Sequence, residues 1–124
     1  MKDGFFRIAA ATPKGAVADV EENLRQIQGM IQQAADQGCG AICFPELSMT
    51  AYTCGDLFKD RTLLQGAEEG IRRLMEATAH LDILCAVGVP VPWEGSLYNC
   101  AAVFHKGQLL GLPAKEYIPH YSEF

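Results

Sequence analysis

The sequence predicts an α/β fold built on a mixed β-sheet, and three observations carry that reading. Short apolar runs alternate with two longer segments whose apolar residues recur every three or four positions, the pattern of strands alternating with amphipathic helices. The run Ile83 to Val89 is apolar on both faces, as expected of a central strand in a helix-covered sheet. Lys106-Gly107 joins two further apolar runs by two residues, a link that suits a tight antiparallel hairpin.

Taken in order, Phe5 to Ala11 reads as a buried strand that stops at Thr12-Pro13, because proline restricts the residue before it and cannot donate to a ladder. Asp19 is placed to cap the next segment, with Glu22 three residues on as in a capping box. Val20, Leu24, Ile27, Ile31 and Ala34 then share one helix face, and Gly38 ends the helix. Ala41 to Phe44 is a second strand. Asp60 to Ala79 is a second helix with Leu64, Ile71, Leu74, Met75 and Thr78 as its inner stripe. Ile83 to Val89, Leu97 to His105 and Gln108 to Leu112 complete the set. The order is strand, helix, strand, helix and then three strands. No repeat, low-complexity stretch or linker divides residues 1–124, so they form a single domain or part of one.

Composition narrows the function classes. A hydrophobic content of 49% in 124 residues is that of a globular chain with a real core. The formal charge of −5 and the lack of a basic stripe argue against nucleic acid and against an anionic membrane surface as partners. The longest apolar stretch, Ile83 to Trp93, contains two prolines and is far shorter than a membrane span needs. Five cysteines, an odd number, and an N-terminus without a signal-peptide layout fit reduced thiols in a cytoplasm. His80, His105 and His120 are scattered, so no metal site is expected. Gly38-Cys39-Gly40 lacks the spacing of a phosphate loop and precedes a strand, so no nucleotide site is expected in this segment.

The chemistry is carried by two opposite charges. Glu46 follows the strand-like run Ile42-Cys43-Phe44-Pro45, and Lys115 follows Leu109-Leu110-Gly111-Leu112-Pro113-Ala114. If those two strands lie side by side, a carboxylate and an ammonium meet at one rim of the sheet. Such a pair suits nucleophilic acyl transfer, the carboxylate activating a thiol and the ammonium stabilising charge on the attacked carbonyl. Read without further context, Glu46 is a loop carboxylate and Lys115 an exposed charge, and Tyr52, Tyr117 and Tyr121 are rings that pack and bond their hydroxyls. Trp93 reads as a loop anchor. Glu68-Glu69 and Arg72-Arg73, opposite charges four apart, read as a solvated helix face.

Phe44-Pro45-Glu46-Leu47, Thr50 to Leu57, Leu97-Tyr98-Asn99-Cys100-Ala101-Ala102-Val103 and Lys115 to Phe124 together resemble the nitrilase superfamily of carbon–nitrogen hydrolases, and within it most closely the N-terminal glutaminase domains of glutamine-dependent NAD+ synthetases. The resemblance runs in order from Ile8 to Phe124. It implies an α-β-β-α sandwich and a Glu-Lys-Cys triad in which Glu46 is the general base and Lys115 the cation beside the tetrahedral intermediate. Tyr52 and Tyr121 fall where the family places tyrosines around glutamine. Ammonia released from glutamine would pass to a synthetase domain that uses ATP and magnesium. The family's nucleophilic cysteine lies downstream of the lysine, and Cys39, Cys43, Cys54, Cys85 and Cys100 all precede Lys115, so this segment alone is expected to be inactive. Ala51 and Ala114 depart from the more usual glycine and proline without removing a functional group. Uncovered sheet edges lead us to expect homo-oligomers. Two other readings stay open: part of another amidase, carbamoylase or nitrilase, and a non-catalytic assembly module.

Overall fold

The structure is a computed structural model; it describes residues 7–13, 19–45 and 61–118, without the side chains of 61–63 and 115–118. The elements are β1 (Ile8–Ala10), α1 (Val20–Asp36), β2 (Ala41–Cys43), α2 (Arg61–Ala77), β3 (Leu84–Trp93), β4 (Ser96–His105), β5 (Gln108–Gly111) and β6 (Ala114–Ile118). The sheet runs β1-β2-β3-β4-β5, with β6 also paired to β4. β1, β2 and β3 are parallel, whereas β4 is antiparallel to β3, β5 and β6. The sheet is mixed, as expected.

Helix α1 follows its sequence signals closely. Asp19 accepts a hydrogen bond from the Glu22 N–H at 3.0 Å, which satisfies one of the donors left over in a first turn. The reciprocal half of the capping box does not form, because the Glu22 carboxylate is taken by Arg25 at 2.6 Å and by Gln26 at 3.1 Å. Leu24, Ile27, Ile31 and Ala34 are buried on the inner face, and Gly38 leaves the helix with φ +79°, a conformation that only glycine adopts cheaply. On α2, Leu64, Ala67, Ile71 and Leu74 are buried, as is Thr78 just past its end, and Met75 is half-buried against the same core. The acid–base cluster of α2 is solvated, but its pairing differs from the simple four-apart scheme. Arg72 meets Glu69 at 3.0 Å, and Arg73 crosses to Glu21 on α1, tying the two helices together.

Both helices cover one face of the sheet. Cys85, Val87 and Val89 of β3 and Cys100, Ala102 and Phe104 of β4 meet Ile27, Ile31, Ile71 and Leu74 in one core cluster. These are alternate residues of each strand, so the intervening ones occupy the opposite face. That face does not carry a helix among the described residues; Cys43, Ala86, Gly88 and Ala101 on it are small, and Leu97 and Asn99 on it are fully buried. Leu84, expected to be enclosed, is 37% exposed there. The first strand also departs from expectation. It is three residues long, lies at the sheet edge, and leaves Ile8 65% exposed, so its apolar run reads as buried while the fold places it at a border.

The β3–β4 hairpin runs the full length of both strands, from Leu84↔His105 to Trp93↔Ser96. Its turn, Glu94-Gly95, has φ +50° and +79°; the Lys106-Gly107 turn between β4 and β5 has φ +51° and +81°. Two consecutive left-handed residues give the turn whose twist matches a right-twisted ribbon. Trp93 ends a strand at the tip of this hairpin with 65% exposure, and is not a loop anchor.

Pro90 and Pro92 lie inside β3, where proline would ordinarily break a ladder. The pairing explains why they are tolerated. The Leu84 N–H donates to the Gly40 carbonyl and the Ala86 carbonyl accepts from the Phe44 N–H, each at 2.9 Å, so even-numbered residues of β3 turn their backbone groups toward β2. Pairing with β2 reaches only Ala86. Pro90 and Pro92 therefore lack an N–H on the side that β2 has vacated. Beyond Cys43 the sheet splits, and the chain leaves β2 through Pro45.

Candidate functional site

The split creates the site's frame. A crevice outside the carboxyl ends of parallel strands, where a neighbour departs, is the usual ligand position in open α/β sheets. Cys43 is level with Ala86 and Val103. Three residues further along β3, Val89 is level with Cys100, and Cys100 with Ala114 of β6. The exit of β2 and the entry of β6 thus belong to the same end of the sheet.

Lys115 was expected just after a strand and instead lies within one. β5 and β6 form a single kinked edge along β4, β5 beside Val103 to His105 and β6 beside Leu97 to Cys100. Leu112-Pro113 makes the kink, with the Pro113 carbonyl accepting from the Ala101 N–H at 3.0 Å. Cys100 faces Ala114 and Asn99 faces Glu116, so Lys115 is the extra residue of a β-bulge. Bulges re-aim a side chain out of the ordinary alternation and recur beside active sites. Its side chain lies outside the described residues, as do Glu46, Tyr52 and Tyr121. β2, which precedes Glu46 in sequence, and β6, which carries Lys115, are not neighbours: β3 and β4 intervene. At about 4.8 Å per strand spacing the gap from β2 to β6 is roughly 14 Å, so a carboxylate following β2 meets Lys115 only if the chain beyond Pro45 crosses the β3–β4 ribbon.

The thiols separate into two kinds. Cys39, Cys85 and Cys100 are buried and Cys43 is exposed; Cys54 lies outside the described residues. Burial pushes the Cys85 thiol up to about 12, with the neighbouring Cys43 adding a smaller upward push, and burial also raises Cys100. A thiol held protonated in an apolar strand is a poor nucleophile. Cys43 is exposed, which departs from the expectation drawn from its apolar run.

Two cavities lie away from this rim. A groove of about 610 Å³ runs between α2 and the far half of β3, lined by Leu64, Ile71, Val89, Val91, Leu109 and Leu112 among others. It is apolar, and Gln65 and Glu68 are its polar border. At the opposite end of the sheet a cavity of about 440 Å³ is bordered by Cys39, Asp82 and His105, with His105 Nε2 standing 2.8 Å from Asp82 Oδ1. Among the described residues no group of three His, Cys, Asp or Glu side chains is placed to hold a metal ion. Sequence reasoning quoted Asn99 within a motif but gave it no role. It is fully buried, and the signal was a carboxamide at an inward position of an apolar strand.

Comparison with known proteins places this geometry. The model of the carbon-nitrogen hydrolase family matches residues 7–121. The chain belongs to that family. Over 121 residues it is 31% identical to the glutamine-dependent NAD(+) synthetase of Mycobacterium leprae, covering 98% of this chain and 18% of the relative. It is 36% identical over 108 residues to the synthetase of Aquifex aeolicus, covering 87% of this chain and 19% of the relative. The crystal structure of a glutamine-dependent NAD(+) synthetase from Cytophaga hutchinsonii superimposes with a TM-score of 0.84 at 29% identity, over 93% of this chain and 20% of that one. An amidase from Nesterenkonia shares the fold, with a TM-score of 0.75 at 20% identity over 90% of this chain and 44% of that one. The chain therefore spans about a fifth of the length of the synthetases it matches, within their nitrilase-like portion.

Among the described residues no helix is long and apolar enough to cross a membrane.

Proposed function

We propose that this chain supplies the amino-terminal part of a glutaminase domain that releases ammonia from glutamine for NAD+ formation. The observation that supports it most directly is the bulge: Lys115 is the extra residue at the entry of β6, on the same end of the sheet as the exit of β2 that precedes Glu46, in a chain of the carbon-nitrogen hydrolase family. In this reading Glu46 takes the proton of a cysteine thiol contributed by sequence beyond Phe124, and later activates water on the acyl-enzyme. Lys115 holds the carboxylate and stabilises the oxyanion. Tyr52 and Tyr121 contact glutamine. Cys85 and Cys100, held protonated by burial, are unsuited to that attack.

ATP and magnesium belong, in this reading, to a synthetase domain. The described residues do not fit either: they hold no metal cluster, and Gly38-Cys39-Gly40 leads into β2 and not into a helix N-terminus. A cytoplasmic location fits the free thiols at Cys39, Cys43, Cys85 and Cys100. Self-association fits the exposed Leu109, Leu110 and Leu112 along the β5 edge.

The deciding experiment uses the intact glutamine-dependent enzyme. Glu46→Gln and Lys115→Met each abolish glutamine-dependent synthesis and leave ammonia-dependent synthesis in place. Equal loss of both activities would make the two residues structural and overturn the assignment.

A further inference from the structure

Helix α1 carries a glycine in its middle, Gly29, where glycine is unfavourable because it loses the most backbone freedom on folding. Its own chain gives no reason for it. A methyl group placed there would meet nothing within 4 Å, and its φ is not in the left-handed region. Gly66, inside α2, faces Val20 at 3.9 Å across the two helices, and no such neighbour stands over Gly29. Gly29 is exposed, and with Arg25, Gln28 and Gln32 it lines a surface cleft of about 380 Å³ that reaches Ala77, Thr78 and His80 at the end of α2. A glycine so placed allows another backbone to approach closely.

The residues around it have a charge layout that says what could approach. Arg25, Gln28, Gly29, Gln32 and Asp36 are all exposed and follow one another at spacings of one, three and four, so they share one side of the helix. No residue from Gln26 to Ala35 is charged, in a chain that is 20% charged. The face is therefore a neutral amide surface closed by a cation at one end and an anion at the other. Glutamine carboxamides both donate and accept, so such a surface is complementary to itself. Laid antiparallel on a second copy with Gly29 opposite Gln32, it brings Arg25 of each copy opposite Asp36 of the other, because both pairs are centred between Met30 and Ile31. A parallel alignment would set Arg25 against Arg25 and Asp36 against Asp36. The antiparallel one is two-fold symmetric, each residue giving and receiving the same contact. The end groups are also held on their own helix. Arg25 engages Glu22 through Nε and Nη2 at 2.9 and 2.6 Å, which leaves Nη1 for a second carboxylate, and Gln32 holds Asp36 at 2.9 Å. Ordering them on contact therefore costs little.

We propose that this face of α1 is a two-fold contact between two copies of the protein, with the helices antiparallel and Gly29 at the crossing. The contact is separate from the exposed β5 edge and independent of the glutaminase reading, since α1 carries none of the residues given a role in acyl transfer.

The test is sedimentation velocity of the intact enzyme over a range of concentrations, with melting temperature recorded for each variant. Gly29→Arg fills the crossing at a position open on its own chain, and is expected to weaken self-association by on the order of tenfold or more and to lower the mass of the assembly. Arg25→Asp and Asp36→Arg alone each set like charges against one another and are expected to do the same. The double substitution restores the pair with its signs reversed, and with it the parent mass, a rescue that a local effect on α1 does not produce. A parent enzyme monomeric at every concentration would overturn the proposal, as would unchanged mass in Gly29→Arg and the single charge variants, or a double variant no better than the singles. Unchanged mass with a fallen melting temperature would assign the face instead to another segment of the same polypeptide. Loss of mass in Leu110→Lys but in none of the α1 variants would assign self-association to the β5 edge.

Discussion

Gly107 lies against Ala79: a methyl group placed on Gly107 would stand 3.0 Å from the Ala79 Cβ and 3.7 Å from the Met75 carbonyl oxygen. The β4–β5 turn is thereby docked onto the end of α2, and the position demands glycine twice, once for its φ of +81° and once for the close approach. Gly107→Ala is expected to destabilise the chain by about 2 kcal/mol, combining the left-handed backbone cost with the displaced neighbour. Gly95→Ala is the internal comparison. It has a similar φ of +79° but nothing within 4 Å, so its cost is the backbone part alone. Urea denaturation of both variants checks the order, and equal midpoints would show that the Ala79 contact carries no weight.

Leu74 links the two helices to the sheet. It is fully buried within the cluster that also holds Ile27, Ile31 and Val87, so Leu74→Ala removes apolar contacts and leaves a cavity. A loss of about 3 kcal/mol is expected, enough in a domain of this size to be read from the urea midpoint. Arg72→Ala on the solvent side of the same helix should leave that midpoint unchanged, because the Arg72–Glu69 pair is exposed and such pairs contribute little.

How far the sequence revealed this architecture depends on which residues carried local information. α1 was legible because Asp19, the stripe from Leu24 to Ala34 and Gly38 act within a few residues of one another. β3 was legible only as far as Val89, since Pro90 and Pro92 read as a stop. Their tolerance depends on β2 ending at Cys43, a fact of pairing between distant segments. Pro113 misled in the same way. It suggested that the strand ended before Lys115, whereas the chain kinks and resumes its ladder on the upper half of β4. Ile8 looked buried because its neighbours are apolar, yet strand order places β1 at the border. The acid and the amine were visible as two residue types after strand-like runs; that β3 and β4 stand between β2 and β6 was not, because strand order is not written in either segment.

The contrast between Cys43 and Cys85 is open to direct measurement. Cys43 is exposed and Cys85 buried, and desolvation holds the Cys85 thiol up at about 12, so its thiolate fraction near neutral pH is negligible. Brief treatment of the native chain with iodoacetamide should label Cys43 well before Cys85 or Cys100, with the latter two becoming reactive on unfolding. Peptide mass spectrometry reads the order. Labelling of Cys85 at the rate of Cys43 under native conditions would mean that the helix-side core opens far more often than its packing implies.

Acid sensitivity of the α1 amino terminus follows from Glu22. Its carboxyl is held down at about 2, from the ordinary 4.5, chiefly by the hydrogen bond from Arg25 and next by that from Gln26. A group whose folded value lies below its unfolded value binds a proton more readily when unfolded. Its stabilising contribution is therefore complete above the unfolded value and declines as pH falls from about 4.5 toward about 2. Glu21 and Asp82, lowered by Arg73 and by His105 respectively, act in the same direction. Replacing Glu22 by Gln removes the titrating group while preserving its length, so the variant should lose stability less steeply between pH 4.5 and 2 than the parent chain. Thermal melts across that interval check the slope. Parallel curves for the two proteins would show that the Arg25–Glu22 pair, exposed as it is, is fully screened by solvent.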